Sequence, residues 1–546
     1  MDGALSRAVA AASRFAADSN SNNTAVFEES LKALIRHLDG VESIGRLAIS
    51  NQFITELLDY CPHLLSANTS SAPTRSKLLR LLFSLALYNV RIRRYVCGEL
   101  HLCGPVFDCL KLSLKEQLGP QNLIDILRLL QVLTYEKCLV LGVWTNDLIS
   151  FLMSETTRED EMEWMPHCIA ILCNLARRSK SVCSRIKKST SYKAFSRRVI
   201  KLLSHDSRIV VVSSLVLIGY LEEKVRDMVY CSQNIHETFQ CVFNVLIMGD
   251  SDCVMTRHIA ADLLRRLVIS STPVITSTGK DVMNYSFFNR CVQQTAELLV
   301  TLDPRLEETA KVYDVLLSFC SLPQLCSPVC AAVLKYPPTE DRLTTPLLAI
   351  ASTAAVSVED AVQPEISLKA LRLLTYLVKK SLSLFGTLVC ISFSITFAST
   401  DEDLRSGLLE VTTASLCAHI SESQLITNPV VIFMEKPPSH RTERIAEWSV
   451  YGVAVVLELL RLLAALKDFS KLHKDQYWKS LKDPRLVSFL AYALTFGDHE
   501  MVHNALILYT HCSQYLLFSS HQLNIRIWLF LIMFGTLISE CSWIVP

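Results

Sequence analysis

A leucine-rich helical segment returns at steps of 42 to 48 residues along the first half of this chain, and that period constrains the fold more than any other feature. Leu81-Leu82-Phe83-Ser84-Leu85-Ala86 has a counterpart 48 residues on, at Leu129-Leu130-Gln131-Val132-Leu133-Thr134, and a third 42 residues later at Ile171-Leu172-Cys173-Asn174-Leu175-Ala176. Looser echoes follow at Leu217-Ile218-Gly219-Tyr220 and Leu264-Arg265-Arg266-Leu267. Within these segments Leu78, Leu79, Leu82, Leu85 and Ala86 share one helical stripe, as do Ile126, Leu127, Leu130 and Leu133, while strand-like alternation is almost absent. Repeats of roughly 40–47 residues, built from two or three helices, are the armadillo and HEAT pattern. One such unit cannot bury its apolar face alone, so neighbours stack into a continuous core. The sequence therefore predicts an all-α fold, an armadillo/HEAT-like α-solenoid superhelix with a long groove. Met165-Pro166-His167 through Arg177 reads as one unit, a proline-opened helix whose Asn174 either lines the groove or is a plain surface polar group.

Composition narrows the function classes. Half the residues are apolar, 20% are charged, and the formal net charge is +1, so bulk electrostatics attract neither nucleic acid nor an anionic membrane. Only 15 of 546 residues are glycine. Loops that bring backbone against phosphate or a nucleophile need that residue. No P-loop, Gly-x-Ser-x-Gly or Gly-x-Gly-x-x-Gly is present. Neither catalytic activity nor a cofactor is expected. The 19 cysteines are scattered through apolar segments with no Cys-x-x-Cys, and Met1 to Asp18 is too polar for a secretory signal. The reducing cytosol or nucleus is the expected compartment.

Breaks divide the chain into residues 1–325, an armadillo-like array, residues 346–515, divergent helical repeats, and 516–546, an atypical apolar tail. Loops are expected over Ser66–Arg75, Ser270–Asp281 and Cys326–Thr345, with a further break around Pro429 and Pro437-Pro438. Ser381–Thr400 is uncharged over 20 residues, but its serines and threonines favour a buried helix or an aberrant insert over a membrane span. Ile527–Ser539 is apolar but short for a span. No membrane association is expected.

Three clusters carry candidate chemistry. His499-Glu500-Met501-Val502-His503 is a literal His-Glu-x-x-His, which on a helix sets two imidazoles on one face for zinc and a glutamate to activate water. Its metzincin continuation fails, with Leu506 and Tyr509 at the positions that need glycine and histidine, and Asp498 reads as an N-cap. A zinc hydrolase is kept only as a minor alternative. Cys97, His101, Cys103 and Cys109 lack the paired spacing of structural zinc sites, and Cys320, Cys326 and Cys330 read likewise as buried thiols. Charge patterning is the sharper signal. Arg177 to Lys201 holds ten basic residues and no acid, after an acidic run from Glu155 to Glu163. Arg177, Arg178, Lys187, Lys188, Arg197 and Arg198 form the candidate partner-binding strip, able to take an acidic or phosphorylated protein segment. The other reading is a solvated helix face. Direct nucleic-acid binding is not expected, because only Tyr192 and Phe195 are interleaved as stacking groups.

Several segments resemble one known family. Asn234-Ile235-His236-Glu237-Thr238-Phe239-Gln240, then Phe243-Asn244 and Gly249-Asp250, are similar to the cancerous inhibitors of protein phosphatase 2A. So are Val210-Val211-Val212 after Ser204-His205, Leu316-Leu317-Ser318-Phe319-Cys320-Ser321, and Asp483-Pro484-Arg485-Leu486 leading to Ala491-Tyr492-Ala493-Leu494-Thr495. The pieces come in the family's order across roughly residues 30–510, fading between about 380 and 440. The resemblance implies an armadillo-type domain without catalytic activity that binds a protein phosphatase 2A regulatory subunit. It also implies protection of phosphorylated partners such as a Myc-like transcription factor, a mitotic role through a DNA-damage scaffold, and homodimers. The family continues into a long coiled coil, whereas 524–546 holds no heptads, so a chain truncated before the coiled coil is expected and its dimer is left open. A generic armadillo adaptor binding linear peptides is the alternative.

Overall fold

The computed structural model describes residues 2–38, 44–45, 47, 51–66, 70–160, 162–230, 234–249, 254–270, 286–334, 344–356, 364–388, 407–425 and 442–516. Among them there are helices and no strand, as the helical period predicts. They fall into two compact units, Met1–Cys291 with Arg305–Lys311, and Val292–Pro304 with Val312 onward. The boundary read from the sequence at 325 lies inside the second.

The first unit is a solenoid-type stack. Five helices form its inner ladder: α1 (Ala72–Tyr88), α2 (Pro120–Tyr135), α3 (Met165–Arg178), α4 (Arg208–Leu221) and α5 (Thr256–Ser270). Each packs on the next. Their sequences explain the position. In α3 every residue from His167 to Ala176 is buried, and α4 is buried from Ile209 to Gly219 apart from Val211. A helix apolar on all sides must lie inside. The outer helices Cys103–Lys115, Trp144–Thr157 and Tyr192–Lys201 pack on α2, α3 and α4 and also on one another in turn. Tyr192–Lys201 buries only Phe195 and Val199, the narrow stripe of a surface helix.

Hydrogen bonds repeat with the same step as the sequence. Asn89 donates to Leu47 O, 42 residues back, and Asn174 to Gln131 O, 43 back. Arg177 donates to Tyr135 O across 42 residues, and Arg266 to Gly219 O across 47. Cys173 donates from its thiol to Ser213 O, 40 residues on. Asn174 is therefore not a surface group: at 2% exposure it ties α3 to α2 through Gln131 O at 2.9 Å and Thr134 Oγ1 at 3.3 Å.

Residues of α2, α3 and α5 contribute to an ionic core. Arg93 has no exposed surface and bonds Glu136 at 2.7 Å and Glu307 at 2.6 Å. Glu307 also meets His258 at 3.2 Å. Burial pushes the Glu307 carboxyl up, but Arg93 and His258 outweigh it and hold it well below the usual carboxylate range. Beside it Asp262 accepts from the Tyr135 hydroxyl at 2.8 Å and pairs with Arg177 and Lys311.

The second unit centres on two 25-residue helices, Pro364–Leu388 and Thr442–Leu466, which pack against each other. Leu371, Leu374 and Leu377 on one, and Val453, Leu457, Leu460 and Leu463 on the other, are buried. Helices Lys471–Leu481 and His499–Leu516 pack on the second of the pair.

Two of the expected loops are shorter than their composition suggests. Helix α1 begins at Ala72, inside Ser66–Arg75, because Pro73 sits in the first turn, where its missing N–H leaves no bond unmade. Thr74 and Arg75 are buried there. Pro323–Leu334 is likewise helical, with Pro328 inside it, through the first half of Cys326–Thr345. The Pro364–Leu388 backbone runs helically into the uncharged Ser381–Thr400 stretch. Residues 271–285, 389–400, 426–441 and 517–546, with the breaks and tail placed there, lie outside the described residues. No helix among the described residues is long and apolar enough to cross a membrane.

Candidate protein-docking surface

The basic run folds into two short helices, Lys180–Lys188 and Tyr192–Lys201, joined by the turn Ser189-Thr190-Ser191. The first is anchored by Val182 and Ile186, with the Ser179 hydroxyl accepting from Ser181 N at 3.1 Å as its N-cap. The second is anchored by Phe195 and Val199, and by Tyr192 and Ser196, whose hydroxyls both donate to Glu222. With those positions inward, Lys180, Lys187, Lys188, Lys193, Arg197 and Lys201 are exposed. None of the six has an ion-pair partner among the described residues. Lys193, Arg197 and Lys201 follow one another at helical spacing, so they share a face with the exposed Ile200. Among the described residues the acidic run makes no ion pair with them. Glu155 is taken by Arg158 and the Trp164 indole.

The structure splits the six candidate residues. Lys187, Lys188 and Arg197 lie on the exposed face, and Arg198 is half-buried. Arg177 and Arg178 are drawn into the fold. Arg177 stacks over the Tyr135 ring at 3.9 Å, pairs with Asp262 and donates to Tyr135 O. Arg178 donates to the carbonyls of Glu136, Lys137 and Leu139. Those carbonyls belong to residues 136–143, a non-helical segment between α2 and Trp144–Thr157, so one guanidinium satisfies several backbone acceptors that no helix uses. Local sequence cannot separate these arginines from Lys187 and Lys188. Registering the repeats separates them, since Tyr135, Arg177, Tyr220 and Asp262 recur at steps of 42 or 43 residues and face one another across the ladder.

The nucleic-acid reading loses its stacking groups. Phe195 is fully buried and the Tyr192 hydroxyl is tied to Glu222.

The His-Glu-x-x-His segment opens helix His499–Leu516, with Asp498 Oδ1 accepting from Met501 N at 2.8 Å as the N-cap read from the sequence. His499 and His503 are exposed, and Glu500 pairs with Arg372 at 2.8 Å. That ion pair occupies the carboxylate that a metal-activated water would need. Among the described residues no group of three His, Cys, Asp or Glu is placed to hold a metal. Cys97, Cys103 and Cys109 are buried; Cys109 donates to Leu65 O, and burial pushes its thiol up to about 11, while His101 is exposed. Cys320 and Cys326 are buried and Cys330 half-buried.

One concave feature on the ladder carried no local signal in the sequence. Between α3, α4 and α5 a small open cleft is lined by Val216, Ile259 and Leu263, with Asn174, Asp262 and Arg266 around it.

One solved structure similar to this chain is an engineered protein from the Northeast Structural Genomics Consortium. It is 13% identical, the match covers 92% of this chain and 99% of that one, and the TM-score is 0.34, too low to carry an argument. The family comparison is decisive. The family model described as CIP2A, N-terminal, matches residues 2–385 and 385–523, which takes in the ladder, the basic strip and the His499–Leu516 helix. This chain of stacked helices belongs to the CIP2A, N-terminal, family.

Proposed function

We propose that the chain is a non-catalytic scaffold that binds a regulatory subunit of protein phosphatase 2A and so keeps phosphorylated partners, a Myc-like transcription factor among them, from being dephosphorylated. Family membership carries this reading. The exposed cations Lys180, Lys187, Lys188, Lys193, Arg197 and Lys201 support its location, since a strip with no internal acid favours an acidic or phosphorylated protein segment. Inhibition then comes from covering a substrate-recruiting surface, not from chemistry at the phosphatase metals. The same scaffold reading extends to a DNA-damage scaffold in mitosis, and it places the protein in the cytoplasm, with chromosome association at division.

The test is a titration of the purified chain against a B-prime type regulatory subunit, with Lys187→Glu, Lys188→Glu and Arg197→Glu combined as the variant. Saturable binding is expected, weakened about tenfold or more by the triple reversal. A phosphatase assay completes it, in which a phosphoprotein substrate is protected and a small-molecule phosphate ester is not. Equal protection of the small ester rules out the recruiting-surface mechanism.

A further inference from the structure

The turn between the two basic helices carries hydroxyls as well as charge. Tyr192 N donates to Ser189 O at 3.1 Å, which closes Ser189-Thr190-Ser191-Tyr192 into a turn with Thr190 exposed at its tip. Ser189 and Ser191 on either side are half-buried, and their hydroxyls bond each other at 3.0 Å. Lys187 and Lys188 stand just before the tip and Lys193 just after it, all three exposed.

A hydroxyl in that setting is what a basophilic protein kinase takes, because upstream cations fit an acid-lined substrate cleft. Sequence alone offers a stronger match at Ser181, behind Arg177-Arg178 and Lys180. The structure reverses that order. Arg177 is held by Asp262 and the Tyr135 ring, and Arg178 by the carbonyls of Glu136, Lys137 and Leu139, so neither is free to be read by an enzyme. The Ser181 hydroxyl is tied to that of Ser179 at 2.8 Å and lies in the first turn of a helix. Thr190 keeps its cations on the surface. The helix before it, Lys180–Lys188, has only Val182 and Ile186 buried, so its last turn opens at small cost to admit a kinase.

We propose that Thr190 is a phosphoacceptor for a basophilic protein kinase, and that its phosphate, set among Lys187, Lys188 and Lys193, neutralises the strip and releases the acidic or phosphorylated segment bound there. In the transfer, Thr190 Oγ1 attacks the γ-phosphorus of Mg-ATP and the bond from that phosphorus to the β,γ-bridging oxygen breaks. ADP leaves, and the hydroxyl proton passes to the kinase's base. The product carries about −1.5 to −2 of charge at pH 7, in a run that has no acid of its own between Arg177 and Lys201. Being covalently attached, the phosphate competes from within the chain for the cations that a partner would use. The switch rests on the reading of the strip as a docking surface given above; the acceptor does not.

The experiment treats the full chain with the catalytic subunit of cAMP-dependent protein kinase and Mg-ATP and maps the product by mass spectrometry. Phosphate on Thr190 is expected. Thr190→Val removes it, Ser181→Ala does not, and Lys187→Gln with Lys188→Gln slows its uptake about tenfold or more. Affinity is then read by anisotropy with fluorescein-labelled octaglutamate, a probe that needs no phosphatase subunit, and by titration with the B-prime subunit. The phosphorylated chain is expected to hold octaglutamate about tenfold or more weakly than the unmodified chain, with the difference shrinking at about 0.5 M salt. Thr190→Val treated in the same way keeps full affinity, which sets aside phosphate taken up elsewhere. The proposal is overturned if Thr190 takes no phosphate or if Ser181 takes it instead. It is overturned equally if the phosphorylated and unmodified chains hold octaglutamate alike, or if the unmodified chain does not bind it. If octaglutamate responds as expected while the B-prime subunit never binds, the switch stands and the phosphatase reading falls.

Discussion

Arg93 holds Glu136 and Glu307 with no exposed surface of its own, so its removal leaves two largely buried carboxylates without their shared partner. Breaking a buried pair from one side costs about 3–5 kcal/mol, because the remaining charge loses its partner and keeps its burial. Arg93→Ala is expected to lower unfolding stability by that amount, measured by urea titration of the whole chain. A loss under about 1 kcal/mol would mean that the carboxylates find other partners or take up protons. His167 is the complementary case, a buried base kept neutral. It is 4% exposed, its Nδ1 lies 2.9 Å from Gln131 Oε1, and burial, followed by the charge of Arg128, depresses it to about 4. The unfolded chain takes up a proton near pH 6.5 and the folded one only near pH 4, so the unfolded state binds more protons between them. Stability contributed by His167 is fully present above about pH 6.5 and falls by roughly 3 kcal/mol as pH drops to 4. His167→Gln keeps a polar side chain without the titration, and its stability curve should be flatter over that window. Parallel curves for the two proteins would remove His167 from the account.

At the scale of elements, Arg178 shows how an armadillo-like unit copes without a helix. After α2 the chain runs through residues 136–143 without helical bonds, and the carbonyls of Glu136, Lys137 and Leu139 turn to the Arg178 guanidinium. Arg178→Ala should cost about 1.5–3 kcal/mol, typical of a hydrogen bond to a charged donor, and should speed amide exchange in 136–143 before any other part of the first unit. Arg178→Lys rescues only part, since one ammonium cannot span three carbonyls as a planar fork does. Uniform acceleration across the unit would point to global destabilisation instead. The helical period made the ladder legible in advance, because a run such as Ile169–Ala176 has no polar side to leave outside. Helix starts were less so. Ser70 to Arg75 is rich in small polar residues and reads as loop, yet Pro73 in a first turn and the bond from Arg75 to Ser70 O make it the root of α1. The basic strip was legible as a run of charge but not as a surface. Which arginines turn inward depends on Tyr135 and Asp262, residues from other repeats. The cleft gave no local signal, since its walls come from three helices more than 40 residues apart in sequence.

The whole molecule carries a formal charge of only +1, and this decides how far its basic strip acts. A strongly charged protein steers partners from a distance, whereas a near-neutral one offers a local field that salt cuts off within about 8 Å at physiological ionic strength. Attraction to the strip therefore operates in the encounter, over a Debye length, and adds little to contacts once the partner is seated. For the regulatory-subunit complex proposed above, the association rate should fall about tenfold between about 0.05 and 0.5 M salt, while the dissociation rate changes little. Lys187→Glu, Lys188→Glu and Arg197→Glu should flatten that dependence, because three of the strip's exposed cations become acids. Stopped-flow measurement of both rates separates the cases. Salt acting mainly on dissociation would place the cations inside a desolvated interface, and an unchanged slope in the triple variant would move the electrostatic contact off the Lys180–Lys201 face altogether.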